Sequence, residues 1–173
     1  MKTLAAVVTE IGKPLSLMEL DIEDPRDDEI LVRIVASGVC HTDLVVQAGM
    51  LPVPLPVTLG HEGAGVVEKI GSKVSKVKPG DHVVLSFNSC GSCESCIEKE
   101  PAYCYEFMAR NFGAVREDGS TSLSNDNSPV HGNFFGQSSF ATFSLCRELN
   151  IVKVSKDVDL SLLGPLGLSL IHI

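Results

Sequence analysis

The chain contains no tryptophan and only two tyrosines, and aromatic residues make up 5% of it. With so few rings, Phe134, Phe135, Phe140 and Phe143 are read first as core residues, because large apolar side chains favour burial, and second as walls of a substrate pocket. Positive charge is also scarce. Fourteen Lys and Arg stand against twenty-two Asp and Glu, for a net charge of −8. Binding along a phosphate backbone requires a cationic surplus, so nucleic acid is disfavoured as a main partner. No long hydrophobic run is present. The stretch Leu4 to Val8 follows Lys2 and meets Glu10, which is too short for a secretory signal and far too short to span a bilayer. A soluble cytoplasmic protein without a membrane partner is expected. The dinucleotide fingerprint Gly-x-Gly-x2-Gly is missing as well, since Gly60, Gly63 and Gly65 run as Gly-x2-Gly-x-Gly.

What is present suits one domain: 173 residues, 44% of them hydrophobic, are enough to bury a substantial core. Residues 30–36, 63–70, 81–87, 138–145 and 149–154 are rich in β-branched side chains and predict strands. Turn residues bound them, among them Pro25, Gly60, Gly71 and Pro79-Gly80-Asp81. Residues 113–136 are polar, contain glycine and show no period, so a long surface loop is expected there. Helix starts are expected near Thr42 or Asp43 and near Ser161.

Six cysteines could form three disulfides, but four of them (Cys90, Cys93, Cys96 and Cys104) fall within fifteen residues as Cys-x2-Cys-x2-Cys-x7-Cys. That clustering points to metal in a reducing compartment rather than to a disulfide framework. Zinc suits a closed tetrahedron of thiolates, which leaves no position open for substrate and marks the site as structural. An iron-sulfur cluster is the rival, although the spacing matches neither common ferredoxin pattern. A second constellation is mixed. Cys40-His41-Thr42-Asp43 is followed by Gly60-His61-Glu62-Gly63-Ala64-Gly65, and the Cys40 thiolate, the His61 imidazole and the adjacent Glu62 make a partial zinc shell with room for water or substrate. The glycines would let the backbone turn tightly around the ion. Taken singly, the Cys and the His read equally as ordinary buried residues.

Together with Pro79-Gly80-Asp81-His82-Val83 and the four-cysteine knuckle, these motifs resemble the zinc-dependent medium-chain alcohol dehydrogenases over residues 1–167. Cys40 through Val46, Phe135 through Ala141, and Gly164-Pro165-Leu166-Gly167 are most similar to the aryl (benzyl) alcohol dehydrogenases. The resemblance implies a mainly β, GroES-like, partly open barrel over residues 1–167, with a structural-zinc lobe inserted near residues 88–108 and a separate Rossmann domain absent from this sequence. It implies that Cys40, His61 and Glu62 hold a catalytic zinc, that Asp43 orients His61, that Thr42 takes the alcohol proton, and that His41 meets the cofactor pyrophosphate. The parent enzyme would be a homo-oligomer that oxidises aromatic or other primary alcohols to aldehydes, with NAD as hydride acceptor and two zinc ions per subunit. The alternatives are glutathione-linked formaldehyde oxidation, a polyol substrate, or a free-standing zinc-binding module without catalysis.

Two departures stand out. Val45 occupies the position where many relatives carry a histidine that passes the proton onward, and Leu168 stands where the family pattern calls for a third ligand cysteine. Residues 168–173, Leu-Ser-Leu-Ile-His-Ile, match the translation of a widely used transposon-end sequencing adapter and are read as a non-native tail. His172 is not expected to replace the missing ligand. The fragment by itself is expected to be inactive, Cys146 to be a buried thiol, and Ser86 and Phe87 to begin an apolar substrate wall.

Overall fold

The computed structural model describes residues 1–168. His172, with the rest of the proposed tail beyond Leu168, lies outside the described residues.

The described residues form ten strands and three short α-helices: β1 (Lys2–Val8), β2 (Ser16–Ile22), β3 (Glu29–Ser37), α1 (His41–Gln47), β4 (Val57–Thr58), β5 (Gly63–Ile70), β6 (His82–Leu85), α2 (Glu94–Ile97), α3 (Phe107–Phe112), β7 (Leu123–Asn125), β8 (Ser128–Val130), β9 (Phe143–Arg147) and β10 (Ile151–Val154). They build two five-stranded sheets, ordered β4-β1-β2-β7-β8 and β10-β6-β5-β3-β9. All of their strand pairs are antiparallel. The second sheet curls against the first through an Ala5–Ala141 bridge and through Thr3, whose hydroxyl accepts the Phe143 amide. The result is the mainly β, partly open barrel that the family resemblance implies. Among the described residues no helix is long and apolar enough to cross a membrane.

Strand β3 organises the core because consecutive side chains point to opposite faces and both faces are covered. Leu31 is buried with Ala5, Val7, Leu20 and Leu145 between the sheets. Ile30 and Val32 are buried on the other side with Val67, Val83, Leu85 and Ile151. Each such side chain contributes about 1.5–3 kcal/mol through removal from water.

Three expectations need correction. The long loop over residues 113–136 contains the β7–β8 hairpin, turned by Asp126 and Asn127 at positive φ and paired onto β2. Tertiary pairing there overrides a polar, unperiodic sequence. Of residues 138–145 only the last three are in a strand; Ser138 sits at φ 51°, and the amides of Ser139 and Phe140 donate to Gly60 and Leu59. Near Ser161 the helix is only a short 3-10 segment, Leu160–Leu162, followed by another at Gly164–Gly167. Strands β1 and β2 and helices α2 and α3 lie outside the sequence expectations.

The segment that returns from α3 is fixed to the barrel by Arg116. Its guanidinium pairs with both carboxylate oxygens of Glu29, at 2.6 and 2.9 Å, and with Glu23 at 2.6 Å. The Arg116 and Glu29 side chains are only 5% and 7% exposed. Removing one partner of a buried pair strands the other charge, at a cost of about 3–5 kcal/mol, whereas an exposed pair such as Lys2–Asp21 is screened by water and contributes little. Arg116→Ala is therefore expected to lower unfolding free energy in a denaturant titration by several times more than Lys2→Ala. Equal effects from the two variants would show that Arg116 does not anchor this segment.

Candidate metal centres

The four-cysteine group forms where the chain leaves β6. Gly91 adopts φ +73°, so the backbone can fold back and donate the amides of Ser92 and Cys93 to the Cys90 sulfur, at 3.4 and 3.2 Å. The Cys90 amide in turn donates to the Cys104 sulfur at 3.3 Å. Cys93 directly precedes α2, which carries Cys96. All four sulfurs lie within 4.8 Å of one another. The Cys90 and Cys96 sulfurs are 3.8 Å apart, far beyond the roughly 2.05 Å of a disulfide and close to the edge, about 3.8 Å, of a tetrahedron with metal–sulfur bonds of about 2.3 Å. The donor set thus fits a zinc ion.

Electrostatics agree with that fit. The two backbone donors, Ser92 foremost, bring the Cys90 thiol down to about 6, while burial and the neighbouring sulfurs push Cys96 up to about 11. One thiolate forms readily and the cluster resists the next. A divalent cation removes that conflict.

The mixed group is assembled from separate elements. Cys40 caps the start of α1 in extended backbone, and His61 and Glu62 lie on the segment entering β5. One atom from each, the Cys40 sulfur, a His61 ring nitrogen and a Glu62 carboxylate oxygen, falls within a 4.8 Å cluster. Asp43, buried on α1, draws the two segments together. Its Oδ2 accepts the Cys40 amide at 3.1 Å, and its Oδ1 accepts the Gly60 amide at 3.0 Å and meets His61 Nδ1 at 3.2 Å. An Nδ1–H that donates to a carboxylate leaves the lone pair on Nε2. His61 is fully buried, and its Nε2 has no hydrogen-bond partner among the described residues. A buried ring nitrogen without a partner is costly, and one beside a thiol and a carboxylate is what a metal ligand requires.

Burial would lower the His61 pKa, but the hydrogen bond and charge of Asp43 outweigh it and hold the imidazole above its usual value. Burial raises Glu62. Cys40 is resisted by burial, yet its contacts with Thr42 and His61 bring it below the ordinary thiol range. Thr42 Oγ1 stands 3.6 Å from the Cys40 sulfur. Close backbone approach is built in at Gly38, where a Cβ would meet a Glu62 carboxylate oxygen at 2.1 Å. Of the three glycines expected to turn the chain around the ion, only Gly60 has positive φ. Gly63 and Gly65 serve to let Ser139 and β3 pack closely.

His41 is exposed at the start of α1, outside this cluster. Leu168 packs against the apolar cluster that contains Phe134 and Phe135, and an aliphatic side chain offers no donor to an ion. Ser86 and Phe87 line an apolar trough of about 440 Å³ with Val84, Val152, Leu166 and Leu168. Of the four phenylalanines read as core, Phe134 and Phe135 are buried, and Phe140 and Phe143 are partly so.

Sequence reasoning missed the socket around His61. Gln137, fully buried, donates to the carbonyls of His61 and Ser86, at 2.8 and 3.1 Å, and accepts the Gly63 amide at 3.0 Å. Phe135 stacks on the His61 ring, with centroids 4.6 Å apart and planes at 26°. The only sequence sign of either was the similarity of Phe135 through Ala141 to one subgroup.

Thiol labelling checks these environments. In metal-free protein Cys90 is expected to react first with iodoacetamide at pH 7 and to lose reactivity as pH falls through about 6, because the thiolate is the nucleophile. Cys146, whose thiol burial pushes far up, stays unlabelled until unfolding. One equivalent of zinc should protect Cys90. Labelling of Cys90 that is insensitive to zinc would argue against the four-sulfur centre.

The alcohol dehydrogenase GroES-like domain model matches residues 26–156. Geraniol dehydrogenase from Castellaniella defragrans is 52% identical over 94% of this chain and 44% of its own length. S-(hydroxymethyl)glutathione dehydrogenase from Escherichia coli is 36% identical over 92% of this chain and 43% of its own. The crystal structure of benzyl alcohol dehydrogenase from Acinetobacter calcoaceticus superposes with a TM-score of 0.90 at 50% identity, covering 96% of this chain and 45% of that one. The chain thus spans somewhat under half the length of the relatives it matches, and it belongs to the alcohol dehydrogenase family with a GroES-like domain.

Proposed function

We propose that residues 1–167 are the catalytic domain of a zinc- and NAD-dependent alcohol dehydrogenase that oxidises apolar primary alcohols, aromatic ones among them, to aldehydes. The observation that carries this reading is the fully buried Nε2 of His61, without a hydrogen-bond partner among the described residues, beside Cys40 and Glu62. Cys40, His61 and Glu62 would hold the catalytic zinc, and Cys90, Cys93, Cys96 and Cys104 the structural one. Zinc bound at the mixed centre supplies Lewis acidity that makes an alcohol easier to ionise.

The chain's own residues do the rest. Asp43 fixes the His61 tautomer so that Nε2 presents its lone pair. Thr42 has a hydroxyl that can both accept and donate, and its place beside Cys40 suits it to take the alcohol proton. The apolar trough at Ser86 and Phe87 favours an apolar substrate over a charged or polyhydroxylated one. This preference, with the names of the geraniol and benzyl alcohol dehydrogenases, supports apolar alcohols over a glutathione adduct or a polyol. NAD would serve as hydride acceptor, bound largely by a Rossmann domain in the part of the relatives' length that this sequence does not cover, with His41 placed for a pyrophosphate contact.

The test is turnover by the extended gene product, in which position 168 and all residues beyond it belong to the natural reading frame. NAD reduction is expected with benzyl alcohol and geraniol, and little with sorbitol or S-(hydroxymethyl)glutathione. Thr42→Val should lower kcat by about 10²–10⁴-fold, the usual worth of a positioned proton acceptor, with the zinc content unchanged. Asp43→Asn should weaken the mixed-centre ion about 10–100-fold and spare the four-sulfur ion. An extended protein that keeps full turnover after Cys40→Ala would sink the assignment.

A further inference from the structure

Asp43 alone does not orient His61. One hydrogen bond at Nδ1 sets the direction of one ring atom, but the ring can still rotate about that contact. The lone pair on Nε2 lies in the ring plane, so an ion is met squarely only if the plane is fixed too. The plane is set by two phenylalanines packed directly against the ring. Phe135 lies face to face with the imidazole at 4.6 Å, and Phe134 meets it edge-on at 5.6 Å.

Phe135 is held there at the expense of its backbone, which adopts φ 51°, ψ 31°, a left-handed conformation that residues with a Cβ disfavour. Such conformations persist where surrounding contacts enforce them, and they cluster at functional sites. The enforcing contacts are visible. The Phe134 amide donates to Ser138 Oγ at 2.9 Å, Ser138 Oγ donates to the Thr58 carbonyl at 2.6 Å, and the amides of Gln137 and Ser138 both return to the Phe134 carbonyl. The Phe135 ring is then braced by Phe112 at 5.1 Å and Phe107 at 6.2 Å, both from α3. Phe107 in turn donates its amide to the Cys104 carbonyl at 2.9 Å. A run of packed rings thus leads from the four-cysteine lobe to the imidazole.

We propose that Phe135 is a positioning residue that sets the plane of His61 for metal binding, and that α3 of the four-cysteine lobe keeps it in place. The proposal rests on Cys40, His61 and Glu62 forming a metal site. It assigns to a strained aromatic residue a task that burial alone would not require, since a core-filling side chain has no need of left-handed backbone.

The test uses the extended gene product, in which position 168 belongs to the natural reading frame, with one equivalent of zinc in the four-cysteine site and cobalt(II) as the probe of the second. Cobalt affinity and the thiolate-to-cobalt absorption band report the mixed centre without any need for turnover. Phe135→Ala is expected to weaken cobalt binding about tenfold or more, the scale of a lost orienting partner, and to shift the band. Phe135→Tyr, which keeps the ring, should stay within about threefold of wild type by the same measure. Phe135→Gly relieves the backbone; it should bind cobalt as poorly as Phe135→Ala yet melt no lower, which separates loss of the ring from loss of fold and replaces Phe135→Ala if that variant does not fold. Wild-type affinity and band shape in Phe135→Gly would overturn the positioning role alone. A wild-type chain that takes up no cobalt at all would overturn the metal reading beneath it.

Discussion

One carboxylate holds the mixed centre together. Asp43 is buried, and a buried carboxylate is tolerable only where donors replace its lost hydration. The Cys40 amide, the Gly60 amide and the His61 ring supply three. Two of these lie on the segment from Gly60 to His61 and one at the start of α1, so satisfying the charge and juxtaposing the thiol with the imidazole are one event. The orphan Nε2, the crowding of Glu62 against Gly38 and the wrapping of residues 134–140 around Gly60 all depend on where that carboxylate sits.

The two centres differ in how they are made, and this decided how far each was legible. The four-cysteine knuckle is local: its ligands lie within fifteen residues, and spacing alone states that the sulfurs converge. The mixed centre joins Cys40 to His61 across α1, a loop and a two-residue strand, so the residues alone suggested a partial shell, and the family resemblance completed it. The socket was not legible. Gln137 reaches the His61 carbonyl across 76 positions, and the left-handed backbone of Phe135 arises from tertiary bonds that no propensity encodes. Arg116 and Glu29, 87 residues apart, left no mark in the pattern either.

The fold shows the same division. Strands β3 and β5 were plain because each carries a β-branched apolar run bounded by turn residues. The β7–β8 hairpin was hidden because Ser, Asn and Pro have little intrinsic strand preference; it exists because β2 offers an open edge. The expectation that Gly60, Gly63 and Gly65 all shape a metal loop failed for two of the three because glycine also serves where backbones must pass closely.

The socket has a consequence for biogenesis. A nascent polypeptide emerges from its N-terminus, and partial structures form as soon as their parts are outside the ribosome. Everything the four-cysteine knuckle needs is present once α3 has emerged. The wall behind His61 is translated some twenty residues later, in the stretch from Phe134 to Phe140. Under the proposed two-metal reading, the order of loading would be written into the gene: the sealed ion could be captured co-translationally, whereas the open one would wait for the second half of the barrel to arrive and close around the imidazole.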